Sequence, residues 1–206
     1  MKMMKVQILA AVLAIASLPL LAQENQVTLY GSKAMLGSGS SSGATKIDVG
    51  DGSGWGIAYS HRFAGHFGFE VAAFSLSSDA KVAAGGQTIL DLGSLDYRPI
   101  TAAVRYHFLP QGAFDAYVAA GGAHVSADDL SSSDLDTAGL GKINVGNDTT
   151  WMAGGGLAWR PGAHLSIGAD ARYIPWKPDT HSSVTGGKET LDLNPWIVSA
   201  GIGWRF

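Results

Sequence analysis

The chain has 206 residues, of which 46% are hydrophobic and 15% charged, and its formal net charge is −3. It contains no cysteine, which excludes disulfides and thiolate metal sites, and its acidic balance argues against nucleic-acid binding, which needs a basic face. The length is enough for a single domain.

The N-terminus has the features of a secretory signal peptide. Lys2 and Lys5 form a basic start, residues 6–22 carry no charge, and a polar segment follows. We therefore predict cleavage after Ala22 and a single mature domain over residues 23–206. Without the two lysines, 12 basic and 17 acidic residues remain. An uncleaved anchor helix is the alternative, but the apolar run is short for a membrane span.

The mature chain reads as eight strand-like stretches whose connections alternate between long and short. No apolar run in it is long enough for a transmembrane helix. The predicted strands cover residues 26–36, 54–63, 66–76, 97–108, 113–125, 150–160, 164–174 and 196–206. Gly and Pro mark tight turns after the second, fourth and sixth of these stretches, where such residues favour turns.

Most of these stretches alternate with a period of two between an apolar, aromatic face and a face of Gly, Ala, Ser and charged residues. The last one shows this best, because Trp196, Val198, Ala200, Ile202, Trp204 and Phe206 share one face. The fifth has Ala and Gly on both faces, so its phase cannot be read. Aromatic residues at both ends of an apolar row are typical of strands that cross a membrane.

These features predict an all-β fold, an eight-stranded antiparallel up-and-down transmembrane β-barrel with four long extracellular loops and three short periplasmic turns. We expect both termini in the periplasm and an integral location in a Gram-negative outer membrane. A soluble lipocalin-like barrel or a sandwich is the alternative. Such folds put apolar residues inside and charges outside, whereas the charges here share a face with small residues.

If the aromatic face meets lipid, the opposite face points into the barrel and carries the charges. The predicted lumen charge network contains Arg62, Glu70, Arg105, His107, Arg160, Asp170, Arg172 and Arg205. Eight strands leave an interior that side chains fill, and an unpaired charge there costs several kcal/mol. We therefore expect Glu70, beside Arg105, and Asp170, beside the strands of Arg160 and Arg205, to pair with arginines. A plug is the preferred interpretation, and an ion path is the alternative.

On the lipid face, aromatic residues should form two girdles at the headgroup levels. The predicted girdle residues are Trp55, Tyr59, Phe67, Tyr106, Phe108, Trp151, Trp159, Tyr173, Trp196 and Trp204. Trp196 should lie toward the loops and Trp204 toward the periplasm.

The sequence offers little support for catalysis or metal binding. His124 and Ser126 share a strand face near the loop rim, where a base and a nucleophile would be needed, but polar rim residues are common. Asp48 and Asp51 lack the spaced carboxylates of a calcium site. We predict no enzyme activity, no cofactor and no metal site.

Three segments resemble the OmpW family of small outer-membrane barrels. They are residues 193–206 as the closing strand, 97–108 as the fourth strand and 114–122 as the fifth. With the matching order of loops and turns, the resemblance covers the whole mature chain. The family often has a double proline entering the fourth strand, whereas this chain has only Pro99 there.

The resemblance implies passive transfer of small hydrophobic molecules, entering at the loop rim and leaving sideways into lipid. It also implies that Phe206 is a signal read by the outer-membrane assembly machinery. The expected partners are therefore the lipid bilayer, that machinery and a small hydrophobic ligand, with no nucleic acid. The alternative is a non-transporting structural, adhesive or receptor barrel that acts through its loops. Apolar loop residues could converge above the barrel, namely Met35, Leu36, Ile89, Leu90, Leu130, Leu140 and Ile143.

Overall fold

The computed structural model describes residues 24–36, 41–42, 45–84, 87–132, 135, 137, 142–182 and 188–206, so the predicted signal peptide lies outside the described residues. Eight long strands dominate it. They are β1 (Glu24–Met35), β2 (Thr45–Ala64), β3 (Phe67–Ala84), β4 (Gln87–His107), β5 (Phe114–Ala127), β6 (Asp148–Trp159), β7 (Leu165–Tyr173) and β8 (Trp196–Arg205). Within these ranges, no helix is both long and apolar enough to cross a bilayer.

The eight strands form a closed ring. Each strand pairs antiparallel with the next, and β1 pairs with β2 on one side and with β8 on the other. Val27 of β1, for example, faces Tyr59 and Trp204 on its two neighbours. The predicted eight-stranded antiparallel barrel is confirmed.

Four short strands among the described residues lie at the loop end of the barrel. Ser41–Ser42 pairs with the start of β2. Ile143–Val145, Asp179–Ser182 and Lys188–Thr190 form a separate three-stranded sheet that joins the third and fourth loops.

The predicted strand boundaries were wrong on the loop side of β2, β3 and β4. Segments 37–53 and 77–96 are rich in Ser, Gly and Asp, and this composition predicts connections rather than strands. The structure instead pairs β2 with β3 from Thr45 onward, and β3 with β4 as far as Ala84 and Gln87. These three strands therefore continue as a β-wall beyond the level of the upper aromatic residues.

The two faces of β4 exchange polarity along its length. In the lower part, Thr101 and Arg105 point inward while Val104 is 55% exposed on the outside. In the upper part, Leu95 and Tyr97 point inward and are at most 1% exposed. The outer face there carries Ser and Asp. An apolar interior with a polar exterior is the arrangement that suits a segment in water rather than lipid.

A bulge in β4 keeps this upper interior apolar. Ala80 pairs with Gly93 and Lys81 with Asp91, so Leu92 is an extra residue, and it points inward with 1% exposure. Gly93 has φ 91°, a conformation that side chains with a Cβ rarely adopt. A Cβ on Gly93 would also lie 2.7 Å from the backbone oxygen of Ser131.

Candidate functional site

A cluster of four buried charges crosses the middle of the lumen. Arg172 on β7 reaches across the barrel to Glu70 on β3, with Nη1 2.9 Å from Oε1, and its Nη2 lies 2.6 Å from Oδ2 of Asp170. Arg105 on β4 makes a second ion pair with Glu70. All four residues are at most 5% exposed. Two carboxylates and two guanidinium groups balance each other, so the cluster, which we call the upper charge cluster, is formally neutral.

Aromatic rings fill the space beside the upper charge cluster. The Arg105 guanidinium lies 4.1 Å from the centre of the Tyr117 ring, and that of Arg172 lies 4.9 Å from the Phe74 ring. The Tyr117 hydroxyl donates to Asp170 and accepts from Arg105, both at 3.3 Å. These contacts fill the lumen at this level and add cation–π attraction.

A second set of charges lies near the periplasmic end. Asp115 pairs with Arg160 and lies 2.7 Å from Nδ1 of His107. Glu24 pairs with Arg62 and, at 2.6 Å, with Nη1 of Arg205. We call this set the lower charge cluster. The strand positions of Arg160 and Arg205 had suggested that they pair with Asp170. Instead, Arg160 pairs with Asp115 and Arg205 with Glu24, because these carboxylates are nearer.

Sequence reasoning missed the two carboxylates of the lower charge cluster. Asp115 lies on β5, whose phase could not be read because Ala and Gly occupy both faces. Glu24 precedes the predicted start of the first strand at residue 26. The signal that could have revealed them is charge balance, since five arginines in one narrow lumen need more than two acids.

The turn between β4 and β5 folds beneath the lower charge cluster. Nη1 of Arg62 and Nη1 of Arg160 both donate to the backbone oxygen of Pro110, each at 2.7 Å. Between the two clusters lies a polar cavity of about 40 Å³, lined in part by Ser60 and Ser166. A cavity of this size holds a few water molecules at most. The lumen is thus obstructed at two levels.

Above the upper charge cluster the interior is apolar. Tightly packed side chains there, which we call the upper apolar core, are Leu76, Leu92, Leu95, Tyr97, Val125, Leu130, Leu135, Ile174, Trp176, Leu191 and Leu193. Trp176 stacks on Tyr97 with ring centres 5.3 Å apart. It belongs to a segment outside the strands, and its backbone oxygen accepts from Leu193 N–H at 3.1 Å.

One polar atom in the upper apolar core is unsatisfied. Trp176 Nε1 is buried without a hydrogen-bond partner among the described residues. Such a group costs about 1–3 kcal/mol relative to a hydrogen-bonded one. The closed packing therefore depends on apolar contacts. Of the loop residues expected to converge here, Leu130 is buried, Leu36, Leu90 and Ile143 pack against the core, Met35 and Ile89 are exposed, and Leu140 lies outside the described residues.

Aromatic residues cover the outside of the barrel in two belts. The upper belt includes Trp55, Trp151, Tyr173 and Trp196, and the lower belt Phe67, Tyr106, Phe108, Phe114, Trp159 and Trp204. Tyr59 was predicted to belong to an exposed aromatic girdle, but its side chain is only 4% exposed. Its ring packs against Phe69, and its hydroxyl donates to Oδ1 of Asn25 at 2.8 Å.

His124 and Ser126, the candidate base and nucleophile at the loop rim, contact other residues and not each other. Nδ1 of His124 lies 2.8 Å from the Thr149 hydroxyl, and the Ser126 hydroxyl donates to the backbone oxygen of Arg98 at 3.5 Å. Arg98 also makes two hydrogen bonds to Asp128. In the described part of the chain, no three His, Asp or Glu side chains are grouped as a metal would need.

A closed eight-stranded ring with an aromatic lipid face and a charged lumen defines an integral outer-membrane β-barrel protein. The chain belongs to the outer membrane protein beta-barrel domain family, whose model matches residues 8–206. The uncharacterized outer-membrane protein y4mB of Sinorhizobium fredii is 27% identical over 112 residues, which cover 52% of this chain. The chain spans about half (47%) of the length of that curated relative.

Solved structures share the fold at low sequence identity. OprG from Pseudomonas aeruginosa is 18% identical with a TM-score of 0.75, and covers 88% of this chain and 95% of its own. AlkL in lipid bilayers is 18% identical with a TM-score of 0.66, covering 92% and 93%. The outer membrane protein W of E. coli is 15% identical with a TM-score of 0.55, covering 90% and 100%. These likenesses show a common barrel architecture.

Proposed function

We propose that this barrel is an OmpW-type passive channel that admits small hydrophobic molecules and excludes ions. The observation that carries the proposal is the sequence of layers inside the barrel. The upper apolar core lies directly above the upper charge cluster, and movement of the loops would open this core to the outside. The barrel architecture shared with OprG, AlkL and the outer membrane protein W supports the same assignment.

The layers favour lateral release of such a molecule. A hydrophobic solute gains by moving from water into the upper apolar core, in proportion to the apolar area it buries. It cannot continue downward, because it would have to break the buried Arg172–Glu70 ion pair of the upper charge cluster without offering either charge a polar replacement. The remaining route leads between the strands into the surrounding lipid.

Entry requires a loop movement. The upper apolar core is tightly packed in this structure, and Trp176 sits at its centre on a segment outside the strands. Displacing that segment would open space above the upper charge cluster without disturbing the strand ladder. Because Trp176 Nε1 has no hydrogen bond to lose there, the displacement is less costly than it would be for a fully hydrogen-bonded core.

The test is uptake into liposomes. Liposomes that contain the purified barrel should take up a hydrophobic fluorescent probe faster than empty liposomes, while their potassium and chloride conductance stays at the level of empty liposomes. Uptake no faster than in empty liposomes would rule out the channel.

Such a negative result would favour a non-transporting structural, adhesive or receptor role. The feature that favours it is the β-wall above the upper belt, whose exposed outer face carries Ser53, Ser77, Asp79, Ser94 and Asp96. This wall offers a rigid polar surface to the outside of the cell. Under either function we infer no catalytic role for the chain.

A further inference from the structure

Two histidines on the outside of the barrel, His66 and His164, occupy equivalent positions at the periplasmic rim. Each follows a tight turn and is exposed. The backbone oxygen of each accepts a hydrogen bond from the residue at the end of the neighbouring strand, from His107 N–H to His66 and from Arg205 N–H to His164, both at 2.7 Å. The remaining turn, between β4 and β5, has Ala113 at the same position, and the backbone oxygen of Ala113 accepts from Arg160 N–H at 2.7 Å.

The side chain of each histidine contacts the same residue as its backbone oxygen does. Nδ1 of His66 lies 2.6 Å from the backbone oxygen of His107, and Nδ1 of His164 lies 2.9 Å from that of Arg205. Because a carbonyl oxygen can only accept, Nδ1 carries the proton in both rings. The neutral imidazole then keeps Nε2 as a bare acceptor. Neither Nε2 has a hydrogen-bond partner among the residues that the structure describes.

Both imidazole rings lie flat against the lower aromatic belt. His66 stacks on Tyr106 at 5.5 Å and 17°, and His164 stacks on Trp204 at 5.1 Å and 14°. Tyr106 and Trp204 belong to the belt that sits at the level of the lipid headgroups. The free Nε2 atoms therefore stand among phospholipid headgroups of the periplasmic leaflet rather than in the hydrocarbon.

We propose that His66 and His164 form two headgroup sites, each accepting a hydrogen bond at Nε2 from the primary ammonium of a phospholipid such as phosphatidylethanolamine. A phosphodiester has no proton to donate, so it cannot occupy a bare Nε2. A choline headgroup can approach the aromatic faces through cation–π attraction, but it has no N–H. In the neutral ring, the proton on Nδ1 therefore makes Nε2 a site for an ammonium. This inference does not depend on what the barrel transports.

The direct test is solid-state NMR of the ¹⁵N-labelled barrel in two kinds of vesicle with matched acyl chains. One contains phosphatidylcholine alone, and the other a mixture of phosphatidylcholine with phosphatidylethanolamine. We expect the Nε2 resonances of His66 and His164 to shift between the two. The resonance of His107, whose ring lies in the lumen beside Asp115, should not shift. Unchanged Nε2 resonances of both histidines in the mixed vesicles would overturn the proposal.

Variants provide a second readout, the phospholipid that stays with the protein after gentle detergent extraction from mixed vesicles. His66→Phe and His164→Phe keep a stacked ring and remove the acceptor, and they also assign the two resonances. The double variant should lose the preference for phosphatidylethanolamine, whereas the control Ala113→Phe should keep it. An equal preference in the double variant and the native protein would contradict the proposal. If the double variant does not fold, the spectra of the native protein decide.

Discussion

At the scale of single residues, the pairing of buried charges governs the lumen. Glu70 neutralises two guanidinium groups, those of Arg105 and Arg172, while Asp170 contacts Arg172. Removing one member leaves a buried charge without compensation, which is far more costly than removing an ion pair as a whole. The network is thus a unit whose members depend on one another.

Replacing Glu70 and Arg105 tests this dependence. Glu70→Gln should lower the free energy of unfolding by about 3–5 kcal/mol, since two guanidinium groups then share Asp170 alone. Adding Arg105→Gln should restore the balance, so the double variant loses less than the sum of the single losses. Urea unfolding in lipid vesicles measures all three. Losses that add within about 0.5 kcal/mol would mean that the two residues are not coupled.

An exposed ion pair provides the control for that cycle. Lys33 and Asp51 lie 3.0 Å apart on the outside of the barrel, with side chains 64% and 51% exposed. Exposed pairs contribute about 0–1 kcal/mol. Lys33→Gln should therefore change the unfolding free energy far less than Glu70→Gln does.

At the scale of elements, the strands on the β2–β4 side exchange the polarity of their faces, and the bulge at Gly93 maintains the exchange on β4. Without the bulge, the strict alternation of β4 would put either Leu92 or Leu95 on the outer face, because the two residues are three positions apart. The bulge is possible because Gly93 adopts φ 91° in contact with Ser131. The same bulge hides this part of β4 from a search for a period of two.

Gly93→Ala should disturb the upper part of β4. The variant combines an unfavourable backbone conformation, which costs about 1–3 kcal/mol, with a Cβ 2.7 Å from the Ser131 oxygen. The measurement is the temperature at which the heated barrel changes its mobility in gel electrophoresis, and we expect this temperature to be lower in the variant. Gly31→Ala is the matched control, because a Cβ there has nothing within 4 Å. Equal stability of the two variants would contradict this role of the bulge.

The last strand predicts an effect on assembly. Phe206 is 49% exposed at the periplasmic rim, and its N–H donates to the backbone oxygen of Asn25 at 2.9 Å, beside the β1–β8 seam. Deleting Phe206 should lower the amount of assembled barrel in the outer membrane, measured by the heat-modifiable fraction of membrane extracts. Deleting Phe206 while the assembled amount stays normal would refute the proposed signal.

The sequence was sufficient for those parts of the fold where one physical constraint acts alone. Along β8 every outward residue meets lipid, so the alternation is clear from Trp196 to Trp204. β4 crosses from lipid into water, and its pattern inverts and slips by one residue at the bulge, so no single period describes it. Asp115 was missed for a related reason, since its strand is so rich in Ala and Gly that its faces differ too little.

At the scale of the whole molecule, the layers act together. The lower lumen is obstructed by two charge clusters and a turn, the upper interior is apolar, and an aromatic lipid face surrounds the barrel. We expect such a structure to exclude ions. Under the function proposed above, hydrophobic molecules pass from the loop side to the membrane once the segment of Trp176 moves.

The most direct test of this account locks that segment in place. The chain has no cysteine, so Asp148→Cys with Lys177→Cys introduces one possible disulfide, at a site where Lys177 N–H lies 3.4 Å from the Asp148 carboxylate. Liposomes with the oxidised variant should lose uptake of the hydrophobic probe and regain it on reduction, with ion conductance at background in both states. Equal uptake in the oxidised and reduced states, with the disulfide verified by thiol titration, would contradict the account.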